Sequence, residues 1–114
     1  MVRATIYKDE LKITGYKIKG HANYDDYGND IVCAAVSVLA QNTLFSLREI
    51  LKLGEDSIAY KIDDRTGYIE VQLLEAMDED LCQKAQILLR SLEIGLISIS
   101  EAYSKHVALK IEGV

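Results

Sequence analysis

The chain has 114 residues, 49% hydrophobic and 27% charged, with a net charge of −5; that length suits one domain over 1–114 and is too short for two. Thirteen Lys+Arg against 18 Asp+Glu argue against direct nucleic-acid binding, which needs clustered cations for phosphates, and suit a basic partner. No uninterrupted apolar run approaches the ~20 residues of a membrane span, and the start, Met1-Val2-Arg3-Ala4-Thr5-Ile6, lacks the basic-then-apolar order of a secretion signal, so a cytoplasmic protein without a membrane partner is expected.

Val2 to Lys8 alternate and include β-branched and aromatic residues, which predicts a strand. A polar turn follows at Asp9-Glu10. Leu11 to Lys19 alternate again, but the phase slips after Gly15, which predicts a bulge there. The two strands read as a hairpin. Gly20 to Asp30 is rich in Gly, Asn and Asp, residues that favour turns, and is predicted to be a loop. Ile31 to Leu53 is too long for one strand and reads as a helix, with Asp30 as its N-cap and Gly54 as its C-terminal stop. Its first turns are apolar nearly all round, so a sheet and a second helix or second subunit should cover it.

Residues 57–62 and 68–74 alternate around Asp63-Asp64-Arg65-Thr66-Gly67, predicting a second hairpin. Residues 78–105 read as a second long helix, with Asp78, Glu79 and Asp80 in its first turn, where negative charge suits the dipole. Leu81, Ala85, Leu88, Leu92, Leu96 and Ile99 form its apolar stripe. Val107 to Ile111 closes the chain as a strand. The order β-β-α-β-β-α-β predicts an α+β two-layer sandwich, with a mainly antiparallel sheet and two long helices on one face.

Two cysteines without a secretion signal read as free thiols. His21, Cys33, Cys82 and His106 contain no closely spaced pair of the kind a zinc site uses, so no metal or cofactor is expected. Cys82 reads as a core residue on the second helix and His106 as an exposed side chain.

The chemistry concentrates between Gly20 and Ser37. With Asp30 as cap, Cys33 would fall in the first helical turn, where unpaired N–H groups and the dipole stabilise a thiolate. Ser37 lies on the same face one turn on. His21 begins the loop and could fold back to the helix start, giving the thiol and base that a cysteine nucleophile needs. The residues also fit a blander reading, with Cys33 as a small core residue, Asp30 as a cap only, and Tyr24 and Tyr27 as either loop packing or contacts over a substrate.

Gly20-His21, Asp26-Tyr27-Gly28 and Asp30-Ile31-Val32-Cys33-Ala34-Ala35 resemble the bacterial ribosomal-processing cysteine protease family, Prp. The resemblance runs over the whole chain in length and element order. It implies a catalytic dyad of His21 and Cys33, with Gly20 and Ser37 in the site. It further implies a homodimer whose substrate is a large-subunit ribosomal protein carrying a short, apolar, aromatic-rich N-terminal extension. Ala35-Val36 stands where the family usually has Gly and a small residue, so a slightly reshaped pocket is expected. The alternatives are a non-catalytic ribosome-associated module acting through residues 20–37, and a thiol redox protein, which the lack of a Cys-x-x-Cys pair disfavours.

Overall fold

The structure, a computed structural model, describes residues 1–20, 27–74 and 77–114. The elements are β1 (Val2–Asp9), β2 (Lys12–Lys19), α1 (Tyr27–Glu49), β3 (Ile58–Asp63), β4 (Tyr68–Leu73), α2 (Glu79–Ala102) and β5 (Val107–Gly113). The strands form one sheet in the order β3-β4-β2-β1-β5. β5 runs parallel to β1, and the other three pairs are antiparallel. A parallel neighbour needs a long crossover, and α2 belongs to the stretch of chain that makes it. The expected α+β class and element order hold.

Alternation sets the layers. Val2, Ala4 and Ile6 of β1, Tyr16 and Ile18 of β2, and Ile69 and Val71 of β4 are buried. They meet Val32, Val36, Ala40, Leu44 and Leu47 of α1 and Ala85, Leu89, Leu92 and Leu96 of α2 in one core. Residues Ile31–Glu49 have a mean hydropathy of 1.4 and are, by length and composition, apolar enough to cross a membrane. Here one stripe of them packs on the sheet, while Ile31, Val38 and Phe45 stay exposed. Tyr16 is fully buried, and its hydroxyl donates to the Ala40 carbonyl at 2.8 Å. That bond ties β2 to the middle of α1, and burial pushes the phenol's pKa up.

The bulge falls beside the expected position. Tyr7 pairs with Gly15 and Lys8 with Ile13, so Thr14 is the extra residue. Gly15 is required for a different reason, because a Cβ there would lie 2.5 Å from the Val71 carbonyl oxygen of β4. β4 pairs with β2 only from Gly15 to Ile18. Beyond that point the side chain of Gln86 takes over from the strand. Its Oε1 accepts from the Ile13 N–H at 2.8 Å, and its Nε2 donates to the Ile13 carbonyl at 2.7 Å, so the backbone is satisfied where the ladder stops.

Both ends of α1 depart from expectation. The helix starts at Tyr27, so Asp30 lies inside it and is not the N-cap. Gly, Asn and Asp cost at most about 1 kcal/mol each in a helix, less than the packing of a long apolar face returns. At the other end Lys52, not Gly54, takes the left-handed conformation, with φ 58°. The Leu53 N–H then reaches back to the Leu47 carbonyl at 3.3 Å, and Leu53 is buried. This is the left-handed stop with its apolar contact, made by a lysine because the buried Leu53 fixes the turn. In α2, Asp78 is the N-cap and accepts from the Leu81 N–H at 2.8 Å.

Candidate active site

Because α1 starts at Tyr27, Cys33 sits in the second turn rather than the first. Only the first four N–H groups of a helix lack an intrahelical partner. The helix-start amides expected to stabilise a thiolate therefore lie about a turn before the sulfur. What exposes Cys33 is its angular position. It lies on the flank of the buried stripe, half-buried against the core, and Ser37 and Gln41 continue the same flank at intervals of four.

The opposite wall is the β3–β4 hairpin turn. One carboxylate oxygen of Asp63 accepts from the Arg65 N–H at 3.0 Å, and the Thr66 hydroxyl donates to the Asp63 carbonyl at 3.5 Å. Gly67, at φ 68°, brings the chain back into β4 through a conformation that favours glycine. Cys33, Ser37 and Gln41 on one side and Asp63, Asp64, Gly67, Tyr68 and Ile69 on the other enclose a pocket of about 180 Å³. The Tyr68 hydroxyl donates to Glu70 at 2.7 Å; that bond raises the phenol's pKa, with desolvation and the glutamate charge adding to it.

Gly20 follows β2 with φ 98°, and a Cβ there would lie 2.5 Å from the Met1 carbonyl oxygen. A side chain is excluded twice over at the residue before His21. His21 and Tyr24 lie outside the described residues. Tyr27 and Asp30 belong to the first turn of α1. The structure thus brings Cys33 and Ser37 together in one pocket. Gln41 was missed, although its spacing from Cys33 and Ser37 was open to inspection. Asp63, Asp64 and Gly67 were read as a turn alone, since nothing local to a hairpin says which helix it faces.

The second thiol has a different setting. Cys82 is half-buried rather than a core residue, in a hollow with Met77, Lys12 and Gln86. The neighbouring Cys82 sulfur raises the pKa of Lys12. His106 is likewise half-buried, not exposed.

A profile of the Cysteine protease Prp family matches residues 1–108. This chain belongs to the Prp family. The Ribosomal processing cysteine protease Prp of Bacillus subtilis (strain 168) is 31% identical over 110 residues, covering 90% of each chain. The protein of the same name from Staphylococcus aureus (strain NCTC 8325 / PS 47) is 30% identical over 102 residues, covering 89% of each. Among solved structures, SMU.848 from Streptococcus mutans superposes with a TM-score of 0.81 at 27% identity, covering 100% of this chain and 96% of that one. The essential ribosomal processing protease Prp from S. aureus, in complex with a substrate peptide, gives 0.78 at 26% identity, covering 98% and 100%. As a member of the Prp family, the chain is a cysteine protease.

Proposed function

We propose that this Prp family protein is an endopeptidase that removes a short, apolar, aromatic-rich N-terminal extension from a large-subunit ribosomal protein in the cytoplasm, with Cys33 as nucleophile and His21 as its base. The observation that carries the reading is Cys33 open to a pocket on the flank of α1, beside Ser37, rather than sealed under the sheet. His21 takes the thiol proton, and the sulfur bonds to the scissile carbonyl carbon. When the C–N bond breaks, the imidazolium returns the proton to the leaving amine. Water then hydrolyses the thioester, with His21 again as base, and frees the thiol. The names of the relatives, as ribosomal processing proteases, support the substrate class, and a net charge of −5 favours encounter with a basic protein.

The protein acts as a homodimer in this reading. The outer stripe of α1 supports it, since Ile31, Val38 and Phe45 are 59%, 67% and 49% exposed, a row that a second subunit would cover. Incubation with the precursor and the mature form of the ribosomal protein tests the proposal. The precursor should be shortened at one bond, Cys33→Ala should fold yet leave it whole, and light scattering should give twice the chain mass. Full turnover by Cys33→Ala would remove the nucleophile assignment, and a monomer mass would remove the dimer.

A further inference from the structure

The helices do not cover the whole of the sheet face on which they lie. β3 is an edge strand. Tyr60 and Ile62 pair with Val71 and Ile69, whose side chains are buried under the helices. Residues paired across two strands share a face, so Tyr60 and Ile62 point to the helix side too. Ile58, on the same face, is 4% exposed, whereas Tyr60 and Ile62 are 42% and 39% exposed. A shallow apolar trough therefore runs along β3 beside α1. Its near end is the Cys33 pocket, whose wall includes Asp63. At its far end the Arg48 guanidinium lies 5.0 Å from the centre of the Tyr60 ring.

We infer that this trough is the specificity site for the apolar segment of the substrate. The segment lies extended over β3, with one apolar side chain on Ile62 and the next on Tyr60. The inference rests on the protease reading for what occupies Cys33, but not for its own measurement. From Asp63 to Tyr60 the strand spans about 10 Å, the length of three extended residues. Two side chains pointing the same way, two residues apart, would match the spacing of Ile62 and Tyr60. An apolar side chain is favoured at Ile62 because a polar one would lose hydration over the isoleucine without gaining a partner. Because Ile62 adjoins Asp63 in the wall of the cysteine pocket, the occupant is the substrate chain rather than a second subunit.

Binding to the Cys33→Ala protein tests this without turnover. Fluorescence anisotropy would compare a labelled peptide of about ten residues, with leucine and phenylalanine at its apolar positions, against a twin with serine there; the trough should favour the first by about tenfold or more. Tyr60→Ala with Ile62→Ser should bring the preference to within about twofold, and Ile62→Lys alone should weaken it. Ile87→Ser, an exposed position on α2, should leave it intact. A preference retained in both trough variants, each with an unchanged melting profile, would overturn the inference. So would equal loss with Ile87→Ser. A protein that shows the preference while its Cys33 form hydrolyses nothing would sink the protease reading and leave the trough standing.

Discussion

Glu93 is 2% exposed, on the core-facing stripe of α2. Lys8 reaches its Oε2 at 2.8 Å from β1, and Arg90 reaches Oε1 at 2.6 Å from the preceding turn. Burial alone would push the carboxyl's pKa up. The hydrogen bonds and charges of Lys8 and Arg90 outweigh that and hold it below the ordinary value. A carboxyl with a lowered folded-state pKa contributes stability that is present above its unfolded value and is lost as pH falls through the folded one. Glu93→Gln should therefore be less stable than the parent at neutral pH, with the gap closing as pH drops through the carboxylate range; urea midpoints across pH would measure it, and a constant gap would contradict it. Little of this was legible. An acid three residues after an arginine reads as a solvent-face pair, and nothing near residue 93 announces a lysine from β1. Cys33 was easier, because its neighbours form a recognisable string. Its place in the helix was not, since Gly28, Asn29 and Asp30 read as loop by composition and are overruled by the packing that follows them.

At the scale of elements, existence and order followed from periodicity, whereas ends followed from contacts. Asp78 caps α2 because an aspartate before a helical pattern has a local reason to do so. The stop of α1 has no such local mark, since the obvious glycine, Gly54, lies beyond the residue that turns. Lys52 holds φ 58° because Leu53 must enter the core, and a non-glycine residue there is strained by roughly 1–2 kcal/mol. Lys52→Gly relieves that strain and gives back part of it as unfolded-chain entropy. The expected outcome is a net gain of up to about 1 kcal/mol, seen as a melting temperature raised by a few degrees. A lower melting temperature would show that the lysine is not strained. The bulge in β2 has the same character. Its neighbourhood was visible as a phase slip, but the need for Gly15 comes from the Val71 carbonyl of a strand far along the chain.

For the molecule as a whole, the consequence of the sheet order is a site made by distant segments. α1 presents Cys33, Ser37 and Gln41, and the β3–β4 turn supplies the facing wall. Both halves were readable as hairpin-plus-helix units. That the second hairpin would stand against the first helix was not, because strand order in space is fixed by long-range pairing rather than by sequence order. The same arrangement leaves Tyr60 and Ile62 of β3 partly exposed on the helix side of the sheet. The proposed chemistry converges on one sulfur becoming covalently bonded to the substrate. The direct measurement is rapid acid quenching of enzyme with the extended ribosomal protein, followed by peptide mapping by mass spectrometry. A thioester joining the severed extension to the peptide that contains Cys33 is the expected result. Cleavage accompanied by an adduct on Cys82 instead would contradict it.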